Sequence, residues 1–208
     1  ERWKNDHQAG DTVSLSHEMM KLTLDIINRT MFSADVIADS DDIGSAVDTA
    51  VKFISKRTRN PFAMPLGLPL PKHRAFFKAK ADVDAIIYGL INQRRQSGET
   101  HDDLLDMLLN ARDEDTGEGM SNEQLRDEVI TIFGAGHETT ANGLTWTWYE
   151  LSKNPQVLEK LQAEVDSVLG GRTPTLDDLP NLPYTLAVFE ESMRLHPPAP
   201  LTIRRAKQ

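Results

Sequence analysis

One uninterrupted helical pattern runs from Ser121 to about Ser152 and is stopped by Asn154-Pro155. At 1.5 Å per residue such a helix is roughly 48 Å long, more than the diameter of a small domain. Ser121 opens it as a capping box with Gln124. The segments on either side repeat the helical period. Ser14 to Phe32 sets Leu15, Met19, Leu22, Leu24, Ile26 and Ile27 mostly on one stripe, and Ile43 to Arg57 repeats it with Val47, Val51 and Ile54. Lys72 to Gln96 carries Phe76, Phe77, Val83, Ile86, Ile87, Leu90 and Ile91, and Ser97-Gly98-Glu99 ends it. A short leucine-rich helix is expected from Asp102 to Arg112, then an acidic, glycine-containing turn from Asp113 to Met120. Asn154 is expected to cap the next helix, with Pro155 in its first turn, the stripe Leu158, Leu161, Val165 and Val168, and a stop at Gly170-Gly171. Pro183 opens a last helix to about Leu195; His196-Pro197-Pro198-Ala199-Pro200 stops it, and Leu201 to Arg204 reads as the start of a strand. The expected fold is mainly α.

Composition narrows the chemistry. The 208 residues include no cysteine, which excludes disulfides, thiolate zinc sites, iron–sulfur clusters and cysteine nucleophiles within them. A net charge of -9 without a sizeable Lys/Arg cluster argues against a nucleic-acid partner. Glu1 to Asp6 are not an initiator methionine followed by a basic and apolar run, so no signal peptide is visible and the true N-terminus is expected upstream. No apolar stretch approaches the ~18 to 20 residues that cross a bilayer. Asn60 to Pro71, with prolines at 61, 65, 69 and 71, is an apolar loop, of the kind that forms a lid, a binding mouth or a lipid contact; a mobile lid is expected here.

The long helix carries Phe133-Gly134-Ala135-Gly136-His137-Glu138-Thr139-Thr140. Interior glycine costs up to ~1 kcal/mol against alanine, so two within three residues, followed by an acid and two alcohols, is a costly local choice. Gly136 either lets a flat ligand approach the backbone or lets another helix pack closely; a hydroxyl one turn on can hydrogen-bond such a ligand. His137-Glu138 does not continue as a zinc-protease motif, because position 141 is Ala141, and His137 has no metal role. On the last helix Glu191 and Arg194 stand three apart and can pair.

Taken together, Ala135-Gly136-His137-Glu138-Thr139-Thr140, the Glu191-x-x-Arg194 pair and Leu195-His196-Pro197-Pro198-Ala199-Pro200 resemble the cytochrome P450 family in order and spacing. The likeness extends from the Asp25-Ile26-Ile27 helix through Arg94-Arg95 and Asp103-Leu104-Leu105 to Asn154-Pro155, and is strongest to soluble bacterial members and their fatty-acid-hydroxylase relatives. The resemblance implies that residues 1–208 are the central helical part of a P450 domain, expected to be cytoplasmic. It implies haem, dioxygen, a small hydrophobic organic substrate and an electron-donor reductase or ferredoxin. Ala135 and Gly136 would lie against the distal haem face, Thr139 would hydrogen-bond the oxygen species or an adjacent water, and Glu138 would feed protons inward. Ala199 and Leu201 would line the substrate pocket. Arg204, or Arg205 if the strand register slips by one, would meet a haem propionate. Glu191 and Arg194 would form a buried charge network with a later arginine. The family's axial cysteine has no counterpart in this chain, so a larger enzyme, with upstream helices and sheet and a downstream cysteine segment, is expected. Without haem, Phe133, Ala135 and Gly136 would face water.

Two other readings fit parts of the sequence. Asp102-Asp103-Leu104-Leu105-Asp106 has the Asp-Asp-x-x-Asp form by which helical isoprenoid synthases hold magnesium diphosphate, though no second acidic motif faces it. A non-catalytic helical scaffold is the third reading.

Overall fold

The computed structural model describes residues 10–33, 40–58, 60 and 62–201. Among the described residues seven α-helices follow one another: α1 Leu15–Phe32, α2 Ser40–Thr58, α3 Pro71–Ser97, α4 Leu104–Asn110, α5 Asn122–Lys153, α6 Pro155–Leu169 and α7 Pro183–Leu195, with a 3-10 turn Leu176–Asn181 before the last. Among the described residues the only β pairing is an isolated antiparallel bridge between Arg112 and Gly119. The expected strand falls at Leu201 and on residues 202–204, which lie outside the described residues. No helix among the described residues is long and apolar enough to cross a membrane.

The chain divides into two compact units, residues 24–136 and residues 1–23 with 137–208, so the boundary falls within α1 and α5. The core of the first unit follows from helical spacing. Val83, Ile87 and Ile91 on α3, and Leu125, Val129 and Phe133 on α5, each recur every four residues, so each trio lines one face. Leu24 and Met31 of α1 and Leu105 of α4 complete this cluster. Burying a side chain of this size contributes about 1.5 to 3 kcal/mol. Phe133 is therefore a core residue, 5% exposed, and does not face water as the sequence led us to expect.

In the same unit α2 packs against α3 through Phe53, which stacks on Phe76 at 4.5 Å and meets the buried His73 edge-on at 5.6 Å. The apolar loop between these helices exposes Phe62, Met64, Leu66 and Leu68, yet two of its carbonyls are held: Arg57 Nη1 donates to Met64 O at 2.5 Å, and His73 Nδ1 lies 2.8 Å from Leu68 O.

Helix ends follow local chemistry. Ser121 Oγ accepts from Gln124 N at 3.1 Å, the first half of the expected box. Gly98 and Gly170 terminate α3 and α6 at φ 64° and 55°, a left-handed conformation natural to glycine. Helix α4 is shorter than the sequence suggested. Asp102 takes φ 51° and breaks the helix before Asp103, whose side chain caps it by accepting from Asp106 N at 2.9 Å; Arg112 is drawn into the bridge with Gly119. Asn154 also departs from expectation. It does not cap α6 with its side chain; its Nδ2 donates at 2.9 Å to Glu150 O, the same carbonyl that accepts from Asn154 N at 3.1 Å at the end of α5.

In the second unit the start of α7 is held by a carboxylate from α6. Glu164 accepts from Tyr184 N, Thr185 N and Thr185 Oγ1, each at 2.8 Å, placing negative charge at a helix N-terminus. Burial pushes the Glu164 carboxyl up, but these donors outweigh it and hold it below its usual range.

Candidate active site

The motif of α5 lies on a continuous helix, where residues four apart share a face. Ala135 and Thr139 are such a pair, and both are exposed; Glu138 beside them is half-buried. His137 is buried, and its carbonyl lies 3.0 Å from Thr23 Oγ1. That hydroxyl also lies 3.0 Å from Met19 O and 3.2 Å from Met20 O, and its single proton serves one of the three at a time.

Gly136 resolves differently from its neighbours. A Cβ built there would sit 2.6 Å from Ile27 Cδ1, so the room the glycine leaves is filled by α1. Of the two uses read from the sequence, close helix packing is the one the geometry displays at this side of Gly136. Gly136→Ala should accordingly change stability by no more than about 1 kcal/mol, because the Ile27 Cδ1 methyl is the free end of a side chain that can turn aside while alanine is the better helix former. Gly136→Leu, too large for that adjustment, should cost about 1 to 3 kcal/mol; urea midpoints of the two variants would check it.

Glu191 and Arg194 pair as expected, with Arg194 Nε donating to Glu191 Oε2 at 2.6 Å and Nη2 to Oε1 at 2.7 Å. Arg194 lowers the Glu191 carboxyl, and Glu191 raises the guanidinium. In this chain the Arg194 and Glu191 side chains are 67% and 56% exposed, and the further arginine of the network implied by the resemblance lies beyond these residues. Ala199 and Leu201 are exposed in the proline-rich turn after α7. Arg204 and Arg205 lie outside the described residues.

The aspartate-rich motif has a structural occupation. Arg94 Nη2 donates to Asp103 Oδ2 at 2.7 Å, and its Nη1 to Asp103 Oδ1 at 2.8 Å and Asp106 Oδ1 at 2.5 Å; His101 N donates to Asp106 Oδ2 at 2.6 Å. Burial pushes Asp103 up, but Arg94, Asp106 N and Ser33 together hold it below its usual range. Asp106 is lowered first by His101 N and then by Arg94. A guanidinium already fills the place a magnesium ion would take, which removes the synthase reading. Among the described residues no cluster of His, Cys, Asp or Glu could hold a metal ion.

Sequence reasoning missed one constellation. His196 Nε2 lies 2.8 Å from Glu150 Oε1, and its ring stacks on Trp146 at 4.1 Å with an interplanar angle of 8°. The residues are 46 positions apart for the hydrogen bond, and no local pattern pairs them.

The comparisons agree on one family. The family model described as Cytochrome P450 matches residues 1–208. The chain is 37% identical over 198 residues to cyclooctat-9-en-7-ol 5-monooxygenase of Streptomyces melanosporofaciens, covering 95% of this chain and 43% of that protein. It is 34% identical over 192 residues to a bifunctional cytochrome P450/NADPH–P450 reductase of Aspergillus oryzae, covering 90% of this chain and 17% of that protein. The crystal structure of the cytochrome P450DA heme domain superposes with a TM-score of 0.80 at 31% identity, over 93% of this chain and 42% of that one. This chain belongs to the cytochrome P450 family, and it spans about two fifths of the length of the Streptomyces relative.

A family cofactor of flat macrocyclic shape needs a helix face bearing small side chains, and exposed Ala135 with Thr139 one turn on provides one. A flat macrocycle such as haem would fit against such a face. With no cysteine among the 208, the iron's thiolate is not supplied by them.

Proposed function

We propose that residues 1–208 form the central helical part of a haem-dependent monooxygenase domain that inserts one atom of dioxygen into a small hydrophobic organic substrate. Electrons would come from a reductase or ferredoxin; the reductase fusion in the Aspergillus relative's name supports a donor of that kind. The observation that carries the reading is the exposed Ala135–Thr139 face of α5 with Glu138 beside it.

Haem supplies the iron at which dioxygen is activated. The chain's own part is proton handling and shape. Ala135, with its small side chain, and Gly136 would leave a flat macrocycle room against this face of α5. Thr139 Oγ1 holds a proton donor one turn beyond Ala135. The Glu138 carboxylate, half-buried, takes protons from solvent and passes them toward that hydroxyl, because splitting dioxygen needs two protons delivered inside a pocket closed to bulk water. Ala199 and Leu201 would form pocket wall and Arg204 would meet a propionate, while Glu191 and Arg194 pair across one turn of α7.

The test is spectroscopic. The full-length protein, reduced under carbon monoxide, should give a thiolate-type haem band, whereas the 208 residues expressed alone with hemin should give none, since neither methionine nor histidine supplies a thiolate's charge. A full-length protein that binds no haem would sink the reading.

A further inference from the structure

Helix α7 ends at His196, whose N–H donates to Ser192 O at 2.8 Å. Of the four residues that follow, Pro197, Pro198 and Pro200 have no N–H and a fixed φ. The segment is stiff, and of these four residues only Ala199 has a main-chain donor. Its placement falls to side-chain contacts, and the structure provides two sets within this unit. Gly143 of α5 has no side chain, and the space where one would begin is met by Phe189 Cζ at 3.4 Å and Pro198 Cγ at 3.7 Å. At the root of the segment His196 lies flat on Trp146, with Tyr149 edge-on to it at 6.4 Å, and its Nε2 reaches Glu150 Oε1 at 2.8 Å. A carboxylate only accepts, so Nε2 carries the proton in this contact. The pair is about three-quarters shielded, the side chains being 28% and 26% exposed, which strengthens it over a surface contact.

A stiff strip fixed at one end transmits a small rotation along its length, so whatever orients His196 orients Ala199 and Leu201. We propose that the Glu150–His196 hydrogen bond, seated on Trp146, is the clasp that sets the position of the segment 197–201, making Glu150 and His196 positioning residues that tune which substrates the pocket admits. This rests on the reading of Ala199 and Leu201 as pocket wall.

The experiment uses the full-length haem protein and four variants. His196→Phe keeps a ring on Trp146 without the hydrogen bond, Glu150→Leu removes the acceptor, the two are combined, and Lys160→Ala removes the cation over Tyr184, away from the clasp. Two quantities are measured: amide hydrogen exchange at position 196, whose N–H is bonded to Ser192 O at the root of the segment, and the ratio of dissociation constants for 4-phenylimidazole and imidazole, read from the Soret shift as each binds the iron. The expected result is that exchange rises about tenfold in both single variants, the loss of one charge-assisted hydrogen bond. The ratio should move by a similar factor because only the larger ligand touches the wall. The double variant should add little to either single, and Lys160→Ala should change neither quantity. Unchanged exchange in both single variants overturns the clasp. Raised exchange with an unchanged ratio overturns the specificity role and, separately, the placement of Ala199 and Leu201 in the wall. Should His196→Phe lose haem, Glu150→Leu, which leaves the imidazole on the indole, reads the same bond.

Discussion

In the full-length enzyme Thr139→Ala should leave haem and substrate binding nearly intact while product per NADPH falls at least roughly tenfold and hydrogen peroxide rises in its place. The expectation comes from where Thr139 stands. It is exposed, one turn from Ala135 on the same face of α5, while Thr140 lies about 100° further round the helix. General acid–base participation is worth about 10² to 10⁴ in rate, and its loss does not stop electron delivery. Reducing equivalents then leave as peroxide. Thr140→Ala serves as control and should retain coupling. Unchanged coupling in Thr139→Ala, with peroxide at the wild-type level, would remove Thr139 from the proton path and leave the face of α5 a matter of shape alone.

What the sequence made legible and what it hid divide along a physical line. Helix α5 was readable almost to the residue, because its period, the Ser121 cap and Asn154-Pro155 are all local. Glu191 and Arg194 were readable as a pair for the same reason, three positions apart on one helix. The ends of α4 were not, since periodicity carries no trace of a left-handed Asp102 or of the bridge that draws Arg112 away. Gly136 marks the boundary between the two cases. Its cost within a helix announced that something approaches, but only packing could tell that Ile27 does so on one side. The Arg94 network and the Glu150–His196 pair were invisible, because in each the partner lies on another element, and sequence spacing does not say which carboxylate a given cation will find.

Arg94→Ala should be the most destabilising single substitution in the unit formed by residues 24–136, at about 3 to 5 kcal/mol near neutral pH, and its effect should shrink on acidification. The Arg94, Asp103 and Asp106 side chains are 9%, 2% and 10% exposed, so removing the guanidinium strands two carboxylates away from water. The pH dependence follows from which state binds protons. Arg94 is raised, first by Asp103, and stays charged throughout. Asp103 and Asp106 are both lowered from an ordinary value of 3.8, so the folded protein holds fewer protons on them than the unfolded chain does. Their contribution is fully present above that value and is lost as pH falls through the lower, folded values. In the variant the balance inverts: burial without a cation pushes both carboxyls up, they take up protons earlier, and acid relieves the stranded charge. Urea midpoints for wild type and variant at pH 7 and pH 4 should therefore converge as the pH drops. Replacing the whole group, Arg94→Met with Asp103→Asn and Asp106→Asn, should recover part of the loss at neutral pH, because no unpaired charge remains buried and asparagine at 103 can still cap α4. A variant as stable as wild type at pH 7, or a deficit that grows toward pH 4, would mean that Arg94 holds these carboxylates less tightly than its geometry implies.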